Sequence, residues 1–137
     1  MKIEIYNKKW TKKFVSLNKN KLFVFGDNDL RRGKGGQAII RDLDNSIGIR
    51  TKKEPDMNYS SFYTDDELDI NKDKILSDIL EIKSEAMKSN RVIVFSSGGY
   101  GTGLSDLENK APKTFNFLCD LLKLHFGFYN KSWYEDF

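Results

Sequence analysis

The chain has 137 residues, 39% of them hydrophobic and 31% charged, and a net charge of +3 at pH 7. That length suits one domain over residues 1–137 with a real core, and the mild charge argues against the basic stripe of a nucleic-acid binder. One cysteine, Cys119, and one histidine, His125, exclude an internal disulfide, a thiolate cluster and a His-rich metal site. The N-terminus has no signal-peptide segment, and no run approaches the roughly 20 apolar residues of a membrane span, so a soluble cytoplasmic protein is expected.

Lys2 to Tyr6 alternates polar and apolar residues, as a short edge strand does, and Lys12–Leu17 suggests a second short strand. Lys21-Leu-Phe-Val-Phe-Gly26 is a continuous apolar run ending in glycine, the mark of a strand covered on both faces. A polar, glycine-rich stretch from Asp27 to Ala38 follows and turns helix-like toward Arg41; Ser46–Thr51 reads as a third strand. A polar loop with Pro55 leads to Tyr59, Phe62 and Tyr63.

Thr64-Asp-Asp-Glu67 has the form of a capping box and places the start of a long helix at Thr64. Ile75, Ile79, Ile82 and Ala86 recur at helical spacing and form one apolar stripe. Arg91–Phe95 is the central strand. The last helix is bounded by Pro112 in its first turn and Gly127 past its end, with Phe115, Leu118, Leu122 and Phe126 on its buried face. The aromatic tail from Phe128 to Tyr134 is expected to pack back on the body. His125 suits a helix C-terminus and Cys119 a small core position, so neither is expected in catalysis.

Strands alternating with helices imply an α/β fold with a mixed, largely parallel sheet, whose ligands bind at the carboxyl ends of the strands. Two glycine-rich segments fall there. The second, Phe95-Ser-Ser-Gly-Gly-Tyr-Gly-Thr-Gly-Leu104, can turn consecutive N–H groups toward an anion, and Ser96, Ser97 and Thr102 add hydroxyl donors. The plain alternative is a small-residue turn between strand and helix. In the first segment Gly33, Gly35 and Gly36 are interleaved with Arg31, Arg32 and Lys34, which either neutralise phosphate or form a solvated basic turn. Asn28, placed directly after the strand, is expected to face the cleft. Asp27 is either a weak base or ribose contact, or a turn-stabilising aspartate. No Ser-His-Asp or Cys-His set can be assembled, and no P-loop pattern occurs.

Taken in order, Phe25-Gly-Asp-Asn28, Gly33-Lys-Gly-Gly36, Gln37-Ala38, Ile47–Lys52 and Val92–Phe95 with Gly99-Tyr-Gly-Thr-Gly-Leu104 resemble the macro domain family, including its compact phage and bacterial relatives. The resemblance covers about residues 21–126. It implies a three-layer α/β/α fold and binding of ADP-ribose or a related adenine-nucleotide diphosphate without a cofactor or metal. Gly26, Asn28, Gly33, Gly35, Gly36 and Gln37 would then meet the distal ribose and phosphate. Ser96, Ser97, Gly98, Gly99, Tyr100, Gly101, Thr102 and Gly103 would wrap the diphosphate, with Tyr100 covering the ligand. Some macro domains hydrolyse ADP-ribosyl or ADP-ribose 1″-phosphate bonds; here Asn28 and Asp27 would activate a water and Lys34 would stabilise the leaving oxygen. The alternative is a phage-type binder that sequesters an ADP-ribose-derived signal without turnover. Gly-Gly-Tyr-Gly-Thr also resembles the lysine decarboxylase-like phosphoribohydrolases, but Ser97 stands for their proline, and Gly103-Leu-Ser-Asp106 replaces their glutamate. The sequence does not indicate an oligomeric state.

Overall fold

The computed structural model describes residues 1–131. Four strands, β1 (Ile3–Tyr6), β2 (Lys21–Asn28), β3 (Ser46–Lys52) and β4 (Val92–Ser96), form one sheet in the order β1-β4-β2-β3. Every neighbouring pair is parallel, as α/β connections require. The expectation of a mixed sheet is corrected to this extent: antiparallel pairing among the described residues is a single bridge between Lys52 and Phe62.

Helices α2 (Leu68–Ser89), α3 (Leu107–Lys110) and α4 (Pro112–Phe126) cover one face of the sheet. Leu22, Val24, Ile49, Ile93 and Phe95 meet the Ile75–Ala86 stripe of α2 and Phe115, Leu118, Leu122 and Phe126 of α4 there. On the other face Phe23, Phe25 and Val94 pack against Trp10, against Val15 of α1 (Lys12–Ser16), and against Ala38 and Ile40 of a 3-10 turn at Gly36–Ile40. Three layers result.

Two local expectations are overturned. Lys12–Leu17 holds a helix, because Thr11 Oγ1 accepts the Phe14 N–H at 3.1 Å and Asn18 Nδ2 donates to Phe14 O at 2.8 Å. Those local bonds outweigh the strand-like composition. The capping box at Thr64 does not form: Thr64 makes no side-chain cap, Glu67 pairs with Lys53 at 2.5 Å, and a 3-10 turn at Asp65–Glu67 precedes α2. Asp65 caps a different helix. Its carboxylate accepts the N–H groups of Lys113 and Thr114 in the first turn of α4 at 2.9 and 3.0 Å.

The end of α4 follows the sequence pattern, with Gly127 left-handed at φ 66° after Phe126. Phe128 turns back into the core and stacks on Phe95 at 4.7 Å between ring centroids. The remainder of the expected aromatic tail, Ser132–Tyr134, lies outside the described residues. His125 Nδ1 lies 3.2 Å from Lys83 Nζ, and Cys119 packs half-buried beside Asn130 with burial pushing its thiol pKa up. Among the described residues, no helix is long and apolar enough to cross a membrane.

Candidate functional site

The neighbouring strands β2 and β4 pair only from Lys21↔Val92 to Phe23↔Val94. Beyond that point the hydroxyl of Tyr100 stands between them, donating to Val24 O at 2.8 Å and accepting the Ser96 N–H at 2.9 Å. The chain then leaves β2 for the face that holds the Gly36–Ile40 turn, and leaves β4 for the opposite face with α3 and α4. Neighbouring parallel strands that send their chains to opposite faces open a crevice at their carboxyl ends. Both glycine-rich loops border it. Gln37 joins them: its Oε1 accepts the Gly26 N–H at 2.8 Å and its Nε2 donates to Gly99 O at 3.2 Å.

The first loop is built around buried Asp27. Its Oδ1 accepts from the Asn28 N–H at 2.8 Å and Arg41 at 2.6 Å, and its Oδ2 from Arg31 at 3.0 Å. Arg31 reaches on to Asp78 of α2 at 2.7 Å, and Asp78 also binds Arg50 through its backbone N–H at 2.7 Å and its guanidinium at 3.0 and 3.1 Å. A β-carbon on Gly48 would lie 2.6 Å from Asp27 Oδ2, so the neighbouring strand requires glycine to admit this carboxylate.

Asn28 is buried and turned onto its own loop, with Nδ2 donating to Arg32 O at 2.7 Å and Oδ1 accepting from Leu30 N at 3.1 Å. Lys34 is exposed and pairs with Asp42. The three candidate catalytic residues, Asp27, Asn28 and Lys34, are therefore not assembled around a common point. Each is occupied by a structural partner, which corrects the expectation that Asn28 faces the cleft. What the loop does present is backbone. The N–H groups of Gly35, Gly36 and Gln37 precede the first bond of the 3-10 turn, Ala38 N–H to Gly35 O, and β-carbons at Gly35 and Gly36 would meet nothing within 4 Å.

The second loop is more committed to the fold than its composition suggests. Ser97 N–H donates to Tyr6 O, Gly98 N–H to Ser96 Oγ, Gly99 N–H to Ser96 O and Tyr100 N–H to Asn130 Oδ1. Ser97 Oγ donates to Asn7, and Thr102 Oγ1 to Gly98 O. Gly99 and Gly101 have positive φ, and β-carbons there would strike Lys131 O and the Leu107 side chain, each at 2.9 Å. Tyr100 is 1% exposed, edge-on to Phe95 and Phe128, so it lines the core and does not cover a ligand. Only the far end, Gly101 to Gly103, keeps N–H groups that make no hydrogen bond among the described residues, and Gly103 is open.

That open end borders a cavity of about 430 Å³ that sequence reasoning did not single out. Gly103 and Leu104 form one side, and Met57, Tyr59 and Phe62, from the segment after β3, the other. Pro55 of that segment also packs under Gly33, where a β-carbon would approach it to 2.9 Å. At the end of β3, Lys52 is only 7% exposed, and burial pulls its pKa below the ordinary lysine value. Nearby, the Tyr63 hydroxyl donates to Asp29 at 2.5 Å and Lys74 pairs with Asp29 at 2.7 Å; burial, then that hydrogen bond, drives the Tyr63 pKa upward. A basic residue ending a buried strand was the one available signal for Lys52.

Fold and site together define an α/β protein whose two glycine-rich loops meet through Gln37 at the carboxyl edge of a parallel sheet. The chain belongs to a family of unknown function, DUF7831, which it matches over residues 5–121, a span that includes both loops and the whole sheet except the first two residues of β1. No curated protein and no solved structure matches it.

Proposed function

We propose that the protein is a macro-like binder of ADP-ribose or a related adenine-nucleotide diphosphate, held between the Gly35–Gln37 and Gly101–Gly103 segments. The observation that carries this reading is Gln37, whose amide ties Gly26 of the first wall to Gly99 of the second. That contact supports reading the two glycine loops as the two walls of one site. Open glycines and N–H groups not yet used in the fold suit an anion that must approach backbone closely. Because Asp27, Asn28 and Lys34 are each held by structural partners, the reading is binding without turnover.

The test is a thermal-shift screen with ADP-ribose, NAD, AMP and ADP-ribose 1″-phosphate, followed by product analysis. A ligand at 100 times its Kd stabilises the native state by about 2.7 kcal/mol, which such a screen detects. The expected result is stabilisation by ADP-ribose with the ligand recovered intact. Product formation would replace binding with hydrolysis, and no shift with any of the four would end the reading.

A further inference from the structure

Lys52 is a buried cation with no anion to hold. Among the described residues no carboxylate lies within ion-pair distance of its ammonium. The acidic group whose charge acts on it is Asp56, and Asp56 is engaged by Ser61 Oγ at 2.5 Å and by the Asn58 N–H at 2.9 Å. A lysine 93% removed from water is ordinarily paired, because desolvating an ammonium is costly.

What Nζ does touch is the wall of the cavity: Met57 Sδ at 3.5 Å and the Phe62 ring, 4.5 Å from its centroid. A second ammonium, Lys110, lies 5.1 Å from the same ring and lines the same cavity, also without an ion pair among the described residues. Two ammonium groups therefore lie beside one aromatic ring of the cavity wall, Lys110 on the lining itself and Lys52 behind Met57 and Phe62. Asp106 is the acidic residue on its lining, and it accepts a hydrogen bond from Asn109 at 2.6 Å. Tyr59 is 85% and Leu104 69% exposed, so apolar surface on the same lining as Lys110 is open to solvent. Met57, 63% exposed, can swing from Nζ at little cost.

We propose that Lys52 is a phosphate anchor: its ammonium, with Lys110, holds a phosphate of a nucleotide whose base lies against Tyr59 and Leu104. The inference deepens the reading above and rests on it for the adenine nucleotide, though not for the anion. Base against an aromatic face and phosphate against an ammonium is the complementarity this cavity offers. Gly103, whose backbone N–H makes no hydrogen bond among the described residues, lines the same cavity and would meet the same ligand.

The test is calorimetry with inorganic pyrophosphate, AMP and ADP-ribose on the wild type, Lys52→Met and Lys52→Arg. The wild type is expected to bind pyrophosphate, Lys52→Met to lose about tenfold or more, and Lys52→Arg to stay within about threefold. Unchanged affinity in Lys52→Met, or no binding of any probe by the wild type, overturns the anchor. Pyrophosphate binding without AMP or ADP-ribose binding keeps the anchor and removes the nucleotide reading. ADP-ribose bound equally by Lys52→Met does the reverse. A readout without a variant is the Lys52 side-chain NMR resonance of the wild type, which pyrophosphate should shift; a static resonance also overturns the anchor.

Discussion

Replacing Tyr100 by Phe separates a core tyrosine from one that covers a ligand. The ring is 1% exposed and fits between Phe95 and Phe128, so Phe fills the same space without leaving a cavity. Only the hydroxyl is lost. Val24 O keeps a partner, because Trp10 Nε1 also donates to it at 2.8 Å. The Ser96 N–H, buried where β2 and β4 separate, loses the acceptor it had at 2.9 Å. Depriving one buried donor of its partner costs about 1–3 kcal/mol. For a chain of this size that is a fall in Tm on the order of 3–10 °C. Urea unfolding, monitored by far-UV circular dichroism with the slope checked for change, measures the free energy directly. A loss below about 0.5 kcal/mol would refute the bridging role of the hydroxyl. ADP-ribose affinity, measured well below the transition, should not change, whereas a ligand-covering tyrosine would alter it.

Removing the Asp78 carboxylate (Asp78→Ala) takes the ion-pair partner and the backbone N–H acceptor of Arg50 and leaves Arg31 with Asp27 alone, which should cost about 1–3 kcal/mol in urea unfolding. Gly48→Ala forces a β-carbon to within 2.6 Å of Asp27 Oδ2 and should cost about 1–3 kcal/mol by the same assay. Gly35→Ala meets no atom within 4 Å and has an ordinary φ of −79°, so stability should stay within about 0.5 kcal/mol while ADP-ribose affinity falls. Lys52 has a folded-state pKa below its unfolded value, so the unfolded chain binds more protons between the two. The penalty for burying its charge is therefore complete below the folded pKa and relieved as pH rises toward 10.5. The stability of the wild type relative to Lys52→Met should increase across that alkaline window, and a flat difference in unfolding free energy would contradict the burial. Taking the difference cancels Tyr63, which titrates in both proteins and acts in the opposite direction.

Helix α4 was legible because Pro112, Gly127 and the Phe115–Phe126 stripe are local signals that agree. The position of the two loops was legible too, since apolar runs ending in glycine mark strand ends in an α/β chain. Illegible was what each polar residue does there. Asp65 and Glu67 look like one capping box, yet one caps a helix 48 residues on and the other pairs with Lys53. Gly99 and Gly101 look like phosphate-loop glycines, but Lys131 O and Leu107 set their need for glycine, and those contacts are set by tertiary packing. Asn28 has the composition of a cleft residue, and only the course of its own turn brings Arg32 O within reach of its amide. The lack of an ion pair at Lys52 among the described residues is likewise a property of the packed chain, since its sequence neighbour Lys53 found Glu67.

The most direct test of the two-walled crevice is a backbone amide NMR titration with ADP-ribose. The account predicts saturable shifts concentrated at Gly35, Gly36 and Gln37 on one wall and Gly101, Thr102 and Gly103 on the other, with Ser97 to Tyr100 perturbed far less. Shifts confined to one loop, or no shifts at millimolar ligand, would contradict it.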